Sequence, residues 1–137
     1  MSLDMNTSIV PHRILVVDDN VDSTEGLALF LSLQGNDVQT AFDGAQAILK
    51  ADQFRPDVIV IDIGLPLVDG HDAGRRIREF DWAHRATLIA LSGWGQDEDR
   101  ERSRAAGFDH HLVKPINLTA LNQILDALQP ADPQGSN

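Results

Sequence analysis

Five polar side chains in this 137-residue chain stand where apolar runs stop. Asp18 and Asp19 follow Ile14-Leu15-Val16-Val17, Asp62 follows Val58-Ile59-Val60-Ile61, Ser92 follows Leu88-Ile89-Ala90-Leu91, and Lys114 follows Leu112-Val113. Three carboxylates brought together repel unless a cation intervenes. An oxygen-only donor set favours a hard ion: Mg²⁺, which uses few protein oxygens, or Mn²⁺. A carboxylate can attack phosphorus to give an acyl phosphate. The metal and the Lys114 ammonium would offset charge on the transferring oxygens, and the Ser92 hydroxyl can donate to one of them. The added group carries about −1.5 to −2 charges and three strong acceptors, enough to draw a nearby hydroxyl and its loop inward. Taken singly, each residue reads as a turn, a cap or a surface charge. Their weight lies in each ending a separate apolar run.

The runs themselves predict the elements that would bring these groups together. Val58–Ile61 is four consecutive β-branched residues, the pattern of a strand buried on both faces in a helix-covered parallel sheet. Gly64 and Pro66 stop it, so Asp62 sits at the carboxyl end of a central strand, where open α/β sheets place ligands. Residues 13–18, 87–92 and 109–113 read as further strands, and 37–41 as a shorter, more polar edge strand. Helical spacing runs from about Asp22 to Gln34, with Gly35 as the stop, and from Asp43-Gly44 through Lys50. It returns from Asp69-Gly70 over Ala73, Ile77 and Phe80, and from an Asn117 cap over Leu118, Leu121, Ile124, Leu125 and Leu128. Gln96–Ala106 also reads as a helix, but Asp97, Glu98, Asp99, Arg100, Glu101, Arg102 and Arg104 leave it almost no apolar stripe. It should pack lightly. Asp81–Thr87 reads as a loop.

Five strands alternating with five helices predict an α/β domain with a doubly wound, right-handed parallel sheet. In the flavodoxin-like strand order 2-1-3-4-5, the first and third strands are neighbours at the switch point. All strand carboxyl ends then share one edge, which gathers Asp18, Asp19, Asp62, Ser92 and Lys114. The domain is expected to span 12–128, with a flexible lead-in at 1–11 and a flexible tail at 129–137.

Apolar residues make up 42% of the chain, which excludes a disordered polymer. No apolar run approaches membrane-spanning length, and the start lacks the order of a signal peptide. Cys is absent, excluding disulfides and thiolate metal sites, so the expected location is the cytoplasm. A formal net charge of −10 argues against direct nucleic-acid binding.

The segments ILVVDDN (14–20), VIVIDIGLPLVDG (58–70), LIALSG (88–93) and HLVKPI (111–116) resemble the receiver domain of two-component response regulators, including its chemotaxis-regulator-like members. The spacing agrees: Ser92 lies thirty residues after Asp62, and Lys114 a further twenty-two on. The resemblance implies that Asp62 is the phosphoacceptor, that Asp18 and Asp19 are the metal-side acidic pair, and that the Gly64 carbonyl is a further Mg²⁺ ligand. It also implies that Ser92 is the switch hydroxyl, that Lys114 binds phosphate, and that the Lys114-Pro115 bond is cis, an isomer only X-Pro bonds adopt cheaply. The phosphoryl donor would be a phosphohistidine on a sensor histidine kinase or a histidine phosphotransfer protein. The output surface would be the fourth helix, fifth strand and fifth helix. Such a chain is a signalling switch, not an enzyme, though it assists its own phosphorylation and dephosphorylation.

Two departures from the family's pattern stand out, one at a single position and one at a pair. His111 stands where receivers often carry the aromatic that rotates inward on activation; an imidazole there, titrating near pH ~6.5, predicts a pH-sensitive or weakened switch. In the family that the chain resembles, the positions of Gly64 and Trp94 flank the phosphoryl group. A bulky Trp94 as a shield, with no side chain at Gly64 to orient water, predicts slow self-dephosphorylation. Trp94 also fits an aromatic partner anchor. His110 with His111 lacks a third soft ligand for a metal, and His12, His71 and His84 carry no identifiable role.

The sequence also admits other readings. The chain is either a free-standing receiver or one excised from a hybrid histidine kinase, which the GFDHHLVKPI ending resembles. A Mg²⁺-dependent aspartyl-phosphate phosphohydrolase would want a second Asp two residues after the first, where Gly64 stands. A flavin binder would want phosphate-cradling loops rather than acidic ones.

Overall fold

The computed structural model of the chain describes residues 11–65, 68–93 and 97–128. Five parallel strands, β1 (Arg13–Val17), β2 (Asp37–Ala41), β3 (Val58–Asp62), β4 (Thr87–Ser92) and β5 (His110–Val113), form one sheet in the order β2-β1-β3-β4-β5. The predicted strand order is therefore the observed one. Every residue of β3 is buried, as a central strand covered on both faces requires. The edge strands β2 and β5 are only partly covered.

Five helices wind over both faces: α1 (Val21–Leu33), α2 (Gly44–Phe54), α3 (Gly70–Arg78), α4 (Asp97–Ala105) and α5 (Leu118–Ala127). Four begin at side-chain caps, with Asn20, Asp43, Asp69 and Asn117 accepting from the backbone N–H groups of Ser23, Gln46, Asp72 and Ala120. Each cap contributes about 1 kcal/mol and turns the chain into its helix soon after a strand ends. The period-two alternation of the strands sorts the core into two layers. Leu15, Val17, Ile59, Ile61, Leu88 and Ala90 pack with Ala47, Ala51 and Ile77 of α2 and α3. Ile14, Val16, Val58, Val60, Ile89 and Leu91 pack with Leu31 of α1 and Leu121 and Leu125 of α5.

Local differences from the sequence reading have physical reasons. The second helix continues past Lys50 to Phe54, because Ala51 and Phe54 carry its buried stripe onward. The third ends at Arg78, and Phe80 instead precedes a 3₁₀ turn at Asp81–Arg85 where an open loop was expected. That turn is held by Phe80 stacked on Trp82 at 5.8 Å and by Trp82 Nε1 donating to Asp52 at 3.0 Å. Asp109 stays outside β5; its carboxylate accepts from the Leu88 N–H at 2.9 Å. Gln96, the tail at 129–137 and all of the lead-in except Pro11 lie outside the described residues. Among the described residues, no helix is long and apolar enough to cross a membrane.

Candidate functional site

Strand register places the acidic groups. Val17 pairs with Ile61 across β1 and β3, so Asp18 and Asp62 come level on the same side of the sheet. Their residues are only 4% and 7% exposed, a degree of burial that charged carboxylates tolerate only with partners. The partners are present. Lys114 Nζ lies 2.8 Å from Asp62 Oδ2 and 3.0 Å from Asp18 Oδ2, bridging the two strands. The free oxygens on the other side are met by backbone donors, Asn20 N–H to Asp18 Oδ1 at 3.0 Å and Gly64 N–H to Asp62 Oδ1 at 2.9 Å.

These contacts set the charges. Burial pushes the Asp18 carboxyl up, but the Asn20 N–H and the Lys114 ammonium more than offset this and hold it below the usual carboxylate range. Burial likewise pulls Lys114 down, yet the Asp62 and Asp18 carboxylates outweigh it and raise the ammonium above its ordinary value. The site is thus an ionised cluster with one cation among several acids. Asp19 is exposed, and one oxygen from each of Asp18, Asp19 and Asp62 lies within 4.8 Å of the others. All-oxygen donors at that spacing, already drawing an ammonium between two of them, suit a hard divalent ion.

The site's other edges come from close packing and short loops. Gly70 opens α3 directly against the backbone of Asp62 and Ile63, where any Cβ would overlap; the Gly70 N–H also donates to Ile63 O at 3.3 Å. The Lys114 N–H donates to Ser92 O at 2.7 Å, and the Lys114-Pro115 bond is cis, as expected. Gly64 is exposed beside Asp62. Trp94 lies outside the described residues, so its shielding role has no geometry here.

Ser92 is buried at the end of β4, and its Oγ lies 2.7 Å from His111 Nε2. The unusual residue of β5 therefore reaches inward to the hydroxyl. The same ring's Nδ1 lies 3.2 Å from Ser103 Oγ in α4, and Ser103 Oγ lies 3.0 Å from His71 Nε2 in α3. His71, which carried no role in the sequence, and Ser103, which drew no notice, both join the site's periphery. The signal for Ser103 was present: it is the one uncharged residue between Asp97 and Arg104. Asn20 has two roles, capping α1 through its side chain and steadying Asp18 through its N–H. His84 and His110 are exposed and stand apart from any metal-ligating group among the described residues. His12 is buried, its Nε2 within 3.1 Å of Leu125 O, and ties β1 to α5 far from this edge.

A carboxylate steadied by one backbone N–H, flanked by an ammonium, a hydroxyl and two further acids, is equipped to receive a phosphoryl group. Comparisons with known proteins agree with that chemistry. The family described as response regulator receiver domain matches residues 14–126. The transcriptional regulatory protein PrrA of Mycobacterium leprae is 39% identical over 124 residues, covering 90% of this chain and 52% of that protein. The chain thus spans about half the length of the curated relatives it matches. Among solved structures, Vibrio cholerae chemotaxis protein CheY4 superposes with a TM-score of 0.81 at 28% identity, covering 88% of this chain and 100% of that one. The receiver domain of sensor histidine kinase PA1611 from Pseudomonas aeruginosa, solved with magnesium in its active-site cleft, gives 0.78 at 34% identity, covering 87% and 98%.

Proposed function

This chain belongs to the response regulator receiver domain family, a phosphoacceptor module of two-component signalling rather than an enzyme, and on that premise we propose that Asp62 is the residue that takes the phosphoryl group. Lys114 bridging Asp62 and Asp18 is the observation that carries the assignment: it marks where positive charge is already stabilised beside the attacking oxygen. Receiver domains partner with histidine kinases and histidine phosphotransfer proteins. With a phosphohistidine donor, an Asp62 oxygen forms the new O–P bond as the P–N bond breaks, and the imidazole departs with that electron pair. The Gly64 N–H holds the carboxylate in its rotamer during attack. Lys114 pairs with the oxygens that gain charge, and Ser92 donates to a phosphoryl oxygen once the group is in place.

Asp18, Asp19, Asp62 and the Gly64 carbonyl would hold Mg²⁺, which when bound neutralises charge on the transferring phosphoryl group. Mn²⁺ fits the same oxygen set. Incubation with Mg²⁺ and acetyl phosphate should add the mass of one phosphoryl group, and chelation should prevent it. An unchanged mass with magnesium present would refute the reading.

The finer assignments are proposals of the same kind. His111 acts as the switch residue beside Ser92, and its neighbours on the α4–β5 side are Arg100, Arg104, Asp109 and His110, with Ser103. These line a groove of about 330 Å³ closed by Leu112 and Ile124, a receiving surface for the downstream protein on the α4–β5–α5 face. Trp94 shields the acyl phosphate; an unchanged phosphoryl lifetime in Trp94→Ala would discard that role. The whole domain works in the cytoplasm, free-standing or within a longer kinase or regulator. A phosphohydrolase is disfavoured because Gly64, where its acid would stand, instead holds Asp62 through a backbone N–H.

A further inference from the structure

The contacts of His111 do not stop at Ser92. Ser92 Oγ, His111 Nε2 and Nδ1, Ser103 Oγ and His71 Nε2 form one row with successive separations of 2.7, 3.2 and 3.0 Å. It begins on β4, crosses β5 and α4, and ends on α3. Register puts it there: Ala90 pairs with His111 and Ser92 with Val113, so Ser92 and His111 share the face that Ala90 presents to the α3 side of the core. Its two ends and Ser103 are buried, with Ser103 2% and His71 4% exposed, while His111 is half-buried.

The row also explains how α4 is anchored. Its charged sequence supplies no apolar stripe, and the buried side chain it contributes, among its described residues, is the Ser103 hydroxyl. At the far end His71 is held firmly. The Phe108 ring meets it edge-on at 6.1 Å and 86°, and Phe108 is itself pressed against Gly74, where a Cβ would overlap the ring.

A neutral imidazole has one N–H and one lone pair, and a hydroxyl has a single proton to donate. Donation along the row can therefore run in either of two directions. With Ser92 donating to His111 Nε2, the Nδ1–H donates to Ser103 and Ser103 donates to His71 Nε2. If Ser92 turns its proton to a phosphoryl oxygen, the row runs the other way. His71 Nε2–H then donates to Ser103, Ser103 to His111 Nδ1, and Nε2–H to Ser92. The reversal needs two hydroxyl rotations and a tautomer exchange at each ring, with no net change in charge. Each contact shares one proton between neighbours, so a turn at Ser92 can pass from member to member along the row.

We propose that Ser103 and His71 are positioning residues for the switch hydroxyl, and that this row carries the state of Ser92 from the phosphoryl site to α4 and α3. The proposal rests on the reading of Ser92 as that hydroxyl. The test is ring-nitrogen NMR of the full chain with ¹⁵N-labelled histidine, which reports the tautomer of each ring. In the unphosphorylated protein, Ser92→Ala should shift both His111 and His71 ring signals. Adding Ser103→Ala should confine the shift to His111, and Ser103→Thr in its place should restore it at His71. With Mg²⁺ and acetyl phosphate, the His71 ring should respond in the wild type and not in Ser103→Ala, with intact mass reporting occupancy separately. A His71 ring that ignores Ser92→Ala, or responds equally without the Ser103 hydroxyl, overturns the proposal. Failure of the mass to rise would instead strike the phosphoacceptor reading, while the Ser92→Ala arm still decides the row.

Discussion

At the β1–β3 half of the sheet edge the polar groups are ionised: Asp18 and Asp62 share the Lys114 ammonium, and Asp19 stands exposed beside them. At the β4–β5 half the polar groups are two hydroxyls and two imidazoles linked in a row. The first half opens toward solvent at Asp19 and Gly64, while Ser92, Ser103 and His71 of the second are buried. The contrast follows from solvation. An unpaired charge in the interior costs several kcal/mol, whereas a neutral hydrogen bond can reverse there at little net cost. On the proposed reading, gaining charge falls to the half that a cation can reach, and conveying the change to the hydrogen-bonded half.

The sharpest way to separate the halves is to loosen one. Phe108→Ala removes the ring that seats His71 against α3, and should cost about 3–5 kcal/mol in urea unfolding. Phosphoryl uptake per folded molecule should stay unchanged; a parallel loss of uptake would show that the halves do not act separately. Lys114→Ala addresses the ionic half. It should slow phosphoryl uptake by about 10²-fold in a mass-resolved time course. It should also strengthen Mg²⁺ binding in a calorimetric titration, because the ammonium no longer competes for oxygens of Asp62 and Asp18. Weaker Mg²⁺ binding would contradict the idea that lysine and metal share those oxygens.

The smallest effect is on pH dependence. Asp18 is held below its usual range, so its stabilising contribution is complete above pH ~3.9 and is lost as pH falls through the folded value. Lys114 is raised, so its contribution is complete below pH ~10.4 and is lost as pH rises through the folded value. The ionic pair should therefore be flat across pH ~5–8, the imidazole range. Asp18→Asn should weaken the acid limb of urea midpoint against pH; an unchanged limb would remove Asp18 as its source. Identical phosphorylation-induced shifts across the neutral window would discard the pH-sensitive reading of His111.

The ionic half was legible in the sequence because parallel topology alone gathers strand ends. Each of Asp18, Asp62, Ser92 and Lys114 is announced by the apolar run before it, and strand order does the rest. The neutral half was not, because it depends on three elements meeting side by side. His71 sits in α3 at the spacing of a buried stripe with Gly74 and Ile77, so its sequence context reads as filling. Ser103 is masked by the charges around it. Small residues hid other features: Ala47 and Ala51 carry the buried face of α2 on to Phe54, but alanines give a faint apolar signal beside Lys50 and Asp52.

The central claim is that an Asp62 oxygen forms the acyl phosphate. Borohydride reduces an acyl phosphate to the alcohol, so phosphorylated chain treated this way and digested should yield a peptide carrying homoserine at position 62. Asp62→Asn should yield none. Homoserine at another aspartate, or a phosphoryl group that survives in Asp62→Asn, would contradict the account.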